Sequence, residues 1–120
     1  MSINAITLIV DQPSAVAGRL RDAFGWTVTQ DFGAFAEVTI GDGAMLWLNV
    51  PGEPTAAVQQ AVVQQGVIIH CWVDDVPAAT EQARAAGAAI LREPTAMDFG
   101  MESALAQVDG GPVVDLTRPL

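Results

Sequence analysis

One order of local signals runs through this 120-residue chain twice, at a nearly constant offset. "AITLIV" (5–10) is a short β-rich run and reads as a strand. In "PSAVAGRLRDAFG", Pro13 suits a first helical turn. Val16, Leu20 and Phe24 recur every four residues on one face, and Gly25 ends the pattern. "WTVTQ" and "FAEVTIG" read as strands, "GDG" (41–43) as a turn, and "AMLWLNV" as a further strand. The second pass begins at "VIIHCWV" (67–73). A helix "VPAATEQARAAG" follows, with Asp75 as its N-cap and Gly87 as its stop. Strands "AAILREP" and "ESALAQV", a "DGG" turn (109–111) and a closing strand "PVVDLTRP" complete it.

Pro13 and Pro77 lie 64 residues apart, Gly25 and Gly87 lie 62 apart, and Gly43 and Gly111 lie 68 apart. A duplicated unit restricts the fold to architectures in which two similar halves share a core. The prediction is an α+β protein of two βαβββ repeats, at about 3–50 and 67–120, within a single domain over 1–120. Residues 51–66, "PGEPTAAVQQAVVQQG", join the repeats; the sequence leaves helix, linker and lid open for them.

Composition narrows the partners. Half the residues are hydrophobic (51%), which is enough for a sizeable core. Fourteen Asp and Glu face five Arg and no Lys, a net charge of −9. Such a field repels phosphate backbones, so nucleic acid is not an expected partner, whereas cationic ligands are attracted. No apolar run reaches the roughly 20 residues of a membrane span. Met1 leads into "SINAITLIV" without a basic n-region, so no signal peptide is predicted. The single cysteine, Cys71, cannot form an internal disulfide, and a cytoplasmic location is expected.

A twice-repeated βαβββ unit of this size resembles the vicinal oxygen chelate superfamily, which includes glyoxalase I, extradiol dioxygenases and the bleomycin resistance proteins. The resemblance rests on "FGW" closing the first helix, on "FGAFAEVTIGDGAMLWL", on "VDDVPAATEQARAAGAAILREP", and on "VDGGPVVDLTRP", where "VDGG" replaces a usual "DPDG". It implies that each half rolls its mixed sheet into a cup, with a helix on the outer face and a pocket on the inner one.

Strand alternation then sorts the residues between the two faces. Leu46, Leu48 and Val50 read as core, and Met45, Trp47 and Asn49 as cavity wall. Val67, Ile69, Cys71 and Val73 read as core, and Ile68, His70 and Trp72 as wall. Val114 and Leu116 read as core, and Val113, Asp115 and Thr117 as wall; in the first strand Asn4, Ile6 and Leu8 fall to the wall. Cys71 is thereby a small buried hydrophobe and not a nucleophile. Trp26 reads as a structural anchor. "TAMDFGMES" (95–103) offers Phe99 between Met97 and Met101, an adaptable apolar rim. Glu102 beside it reads as solvated.

Metal enzymes of the superfamily take one ligand from the first and one from the last strand of each half. The resemblance assigns those places to Asn4, Trp47, Ile68 and Asp115. Trp47 and Ile68 cannot bind a metal, so no metal and no cofactor is predicted. The expected ligand-binding residues are Trp47, Trp72, His70, Asn49, Met45, Asp115, Phe99 and Met101, with no catalytic residue among them. The resemblance is nearest in character to the metal-free drug-binding members. It implies a homodimer that sequesters a small planar aromatic or cationic antibiotic without changing it, as a drug-resistance protein. The alternative is a lyase, isomerase or dioxygenase using a slipped metal site, built from His70, Asp115 and one more group, or His70 as general base. A housekeeping binding module is a third reading.

Overall fold

A computed structural model describes residues 3–51 and 67–120. The expectation of a helix, linker or lid at 51–66 falls, beyond Pro51, outside the described residues. The element order is β1 (Ala5–Ile9), α1 (Pro13–Phe24), β2 (Thr27–Asp31), β3 (Phe35–Ile40), β4 (Ala44–Asn49), β5 (Ile68–Trp72), α2 (Val76–Ala85), β6 (Ala89–Ala96), β7 (Met101–Gln107) and β8 (Val113–Pro119). The strands form two four-stranded mixed sheets, ordered β1-β4-β3-β2 and β5-β8-β7-β6. In each sheet the first and last strands of a repeat run parallel and the other neighbours antiparallel. This is the predicted pair of βαβββ units.

The helices end as their sequences dictate, but they begin differently. In α1, Val16, Ala17, Leu20 and Ala23 are buried, and Gly25 takes a left-handed φ of 72° while its N–H bonds the Arg21 carbonyl at 2.8 Å. No side chain caps its start at Gln12. In α2, the Asp75 carboxylate accepts the Ala78 N–H at 2.9 Å, the cap predicted for it. The two helices pack on each other, α1 against β2, β3 and β4, and α2 against β6, β7 and β8. One hydrophobic core results. It joins Leu46 and Leu48 of the first sheet to Val114 and Leu116 of the second through Val16, Leu20 and Ala83 of the helices. Each fully buried aliphatic side chain of this kind contributes about 1.5–3 kcal/mol.

The Asp109–Gly111 turn ties the second half to α1. Arg19 Nη1 donates to the Asp109 carbonyl at 3.1 Å. A Cβ on Gly111 would lie 2.7 Å from Val108 Cγ2, so only glycine fits this turn without a shift. Trp26 is buried (7% exposed) with its ring centroid 5.1 Å from that of Phe24, the structural anchor expected of it. Among the described residues no helix is long and apolar enough to cross a membrane.

One assignment from alternation is overturned. Leu8 is buried in the core opposite Leu48, and Ile6 stands opposite core Leu46; Thr7 is the residue opposite Trp47. "AITLIV" is apolar on both faces, so its pattern carries no phase, and only the pairing with β4 sets which residues turn inward.

Candidate functional site: a cavity on the second sheet

The face of the second sheet turned away from the helices carries a cavity of about 510 Å³. That size suits a small organic molecule. Its floor comes from β5 and β8, where Ile68, His70 and Trp72 alternate with core-facing Ile69 and Cys71, and where Asp115 and Thr117 alternate with core-facing Leu116. The rim comes from the β6–β7 turn. There the Met97 N–H bonds the Met101 carbonyl at 2.7 Å and Gly100 takes a φ of 83°. This folds Met97, Phe99 and Met101 over the cavity edge. Trp72 (73% exposed) and Phe99 (72% exposed) offer open ring faces to a ligand.

A chain of polar side chains crosses the sheet beneath these rings, one residue from each strand. Arg92 Nη2 on β6 donates to Ser103 Oγ on β7 at 2.6 Å. Ser103 Oγ donates to Asp115 Oδ1 on β8 at 2.6 Å. Asp115 Oδ2 lies 2.7 Å from His70 Nδ1 on β5. Ser103 and Asp115 are buried, whereas the His70 side chain is 68% exposed. Both Asp115 oxygens are thus engaged, and the His70 ring is oriented through Nδ1 with Nε2 free of any protein partner among the described residues. Cys71 packs on the other face of β5 against the core. Burial first, and then the Asp115 charge, push its thiol up to about 11, so it stays a protonated hydrophobe at neutral pH.

The expected site residues divide between the two sheets. His70, Trp72, Asp115, Phe99 and Met101 come together in the cavity. Met45, Trp47 and Asn49 lie half-buried on β4 of the first sheet and do not line it. Trp47 Nε1 donates to Glu37 Oε2 at 2.9 Å, and Glu37 Oε1 accepts from Thr29 Oγ1 at 2.7 Å. The Trp47 ring meets Phe35 edge-on with centroids 6.3 Å apart, and Phe35 stacks on Phe32. Glu102 pairs with Arg118 at 2.8 Å, outside the cavity.

Arg92 and Ser103 were not anticipated. Alternation along "AAILREP" places Arg92 on the same face as Ile90, toward the core. The strand is bulged between them: Ile90 pairs with Ala106 and Arg92 with Leu105, leaving Leu91 over. The bulge resets the phase and turns Arg92 into the cavity. The same irregularity stands between Val28 and Gln30 in β2, where the pairing steps from Val38 to Glu37. Gln30 and Arg92 lie 62 residues apart, the offset of the helix-ending glycines, but the bulge shows only in the strand pairing and leaves no signal in the residues themselves.

Beside this duplicated order and its two matched sheets, the family model of the Glyoxalase/Bleomycin resistance protein/Dioxygenase superfamily matches residues 2–109. The chain belongs to this superfamily. A solved structure described as a conserved domain protein is 29% identical over the full length of both chains, with a TM-score of 0.77. TioX from Micromonospora sp. ML1 is 23% identical over the full length of both chains, with a TM-score of 0.78. A glyoxalase/bleomycin resistance protein/dioxygenase family enzyme from Burkholderia phytofirmans PsJN covers both chains fully with a TM-score of 0.85 at 14% identity. No curated protein matches the chain.

The superfamily implies a divalent metal in its enzymes, and the residues here do not fit one. Sheet register sets His70, not Ile68, beside Asp115, and Thr7, not Asn4, beside Trp47. That correction supplies one imidazole and one carboxylate, but the carboxylate already accepts from Ser103 and pairs with His70. Trp47 offers no lone pair, and Thr7 only a neutral hydroxyl. Among the described residues no group of three or more His, Cys, Asp or Glu side chains could hold a metal ion.

Proposed function

We propose that this superfamily member is a small-molecule binding protein that holds a flat aromatic ligand, such as an antibiotic, without chemically altering it. The observation that carries the reading is the cavity on the second sheet, apolar at its rim and crossed by a continuous chain of polar side chains. Trp72 and Phe99 supply stacking surfaces that lose little entropy on binding. Met97 and Met101 adapt to the ligand outline. His70 Nε2 supplies a hydrogen bond in a fixed direction. The protein is a homodimer in this reading. The large exposed apolar side chains Ile6, Phe32, Ile68, Trp72 and Phe99 lie on the sheets and their edge loops, where a second copy would cover them. Titration of intrinsic tryptophan fluorescence with a panel of planar aromatic antibiotics tests the binding; saturable quenching is expected, and a panel with no quenching removes the reading. Light scattering tests the dimer, which a monomeric mass at micromolar concentration overturns.

One observation favours a second reading. Asp115 holds His70 through Nδ1, the arrangement that orients an imidazole as a general base. An enzyme of this kind would exchange an acidic C–H of its bound ligand with solvent deuterium. His70→Gln would abolish that exchange while the ligand still quenched fluorescence.

A further inference from the structure

We propose that Arg92 determines which ligands the cavity accepts, and that the cavity selects aromatic molecules bearing a planar acidic group, a carboxylate or its equivalent. The inference deepens the binding reading above and rests on it. The acidic composition points to cations, but the local charges point the other way. Among the described residues, the one carboxylate lining the cavity is Asp115, with both oxygens engaged and its side chain only 13% exposed. Arg92 is the one arginine among the described lining residues.

It differs from the other arginines in lining the cavity with a shielded Nε that has no partner among the described residues. Arg21, Arg84 and Arg118 each pair with a carboxylate, and Arg19 holds a main-chain carbonyl. Among the described residues Arg92 meets no carboxylate. A guanidinium carries five N–H donors, and within these residues this one makes a single hydrogen bond, from Nη2 to the Ser103 hydroxyl. Its Nε is shielded and finds no partner among the described residues. A buried donor left this way is destabilising unless something satisfies it. The Ser103 hydroxyl is committed as a donor to Asp115, so its lone pair faces Arg92 and holds the guanidinium in place. Leu105, Met97 and Met101 keep the surroundings apolar, and an ion pair formed there is less screened than one on the surface. A carboxylate matches the guanidinium fork in shape as well as charge. An aromatic acid would thus place its ring against Trp72 or Phe99 and its acidic group toward β6.

Three probes with one ring system separate the charges: 2-naphthoate, 2-naphthamide and 2-naphthylmethylammonium. Calorimetric titration of the full chain is expected to rank naphthoate first, about tenfold tighter than the amide, with the cation weakest. Arg92→Met is expected to bring the acid-to-amide ratio to about one, and Arg92→Lys to an intermediate value, since lysine keeps the charge but not the fork. Circular dichroism establishes that both variants fold. Amide or ammonium binding as tight as naphthoate binding in the unmodified protein overturns the inference and leaves the binding reading standing. So does a preference for the acid that survives in Arg92→Met. Failure of all three probes to bind overturns both.

Discussion

The two sheets have the same topology, a bulge at the equivalent place and matching helix packing, with a second register shift in β6 alone, yet their inner faces are furnished for different tasks. In register, one row across the first sheet reads Gln30, Glu37, Trp47, Thr7, and the equivalent row across the second reads Arg92, Leu105, Asp115, His70. In the first row the carboxylate sits on β3 and is spent on the Trp47 indole and the Thr29 hydroxyl, closing a local network around aromatic rings. In the second row the carboxylate sits on β8 and is linked to a histidine on one side and, through Ser103, to an arginine on the other. The backbone repeats and the chemistry does not. A duplicated scaffold constrains the face that packs on the helices and leaves the opposite face free to diverge.

That contrast can be broken at several points. The strongest test concerns the shared face. Leu48→Ala and Leu116→Ala each remove a buried leucine from one core and should each lower unfolding free energy by about 2–5 kcal/mol in urea titrations. A variant within about 0.5 kcal/mol of the parent would show that its half does not depend on the common core. Next comes the boundary between the two faces of β5. With its thiol raised to about 11, Cys71 should react with iodoacetamide at pH 8 about 100-fold more slowly than a free cysteine, the rate climbing as pH rises toward that value. A rate near that of a free thiol would mean that this strand opens to solvent on its core side.

Ligand binding should separate the two inner faces by a smaller margin. Trp72→Ala should weaken a quenching ligand about tenfold, because a whole stacking surface is lost. Trp47→Ala should change it by less than about twofold, since that indole does not line the cavity and is tied to Glu37 and packed on Phe35. Equal losses in the two variants would make the site a composite of both sheets. The smallest difference lies in the helix starts: Asp75→Ala should cost about 1 kcal/mol of stability, and Gln12→Ala, which removes no cap, less than about 0.5 kcal/mol in thermal melts.

Much of this was legible in the residues, and the gaps have physical causes. Helix ends could be read because proline, aspartate and glycine act locally: Pro13, Asp75 and Gly25 do what their own backbone chemistry requires. The β5 and β8 faces could be read because each alternates without interruption, and His70, Trp72 and Asp115 stand where that alternation puts them. Leu8 was misplaced because both faces of its strand are apolar, so a partner strand was needed to fix the phase. Trp47 was grouped with Trp72 on pattern alone, and pattern within a strand does not say which sheet faces which. Arg92 was missed because a bulge is invisible to a period of two.

The surplus residue in β6 and in β2 has a consequence for how such a chain could change over generations. The position just past each one is released from the packing demands on its neighbours: Arg92 lines the cavity, and Gln30 stands exposed. Gln30 and Arg92 are thus two addresses at which side-chain chemistry can be rewritten while the scaffold stays put, and a new binding preference would be written there first.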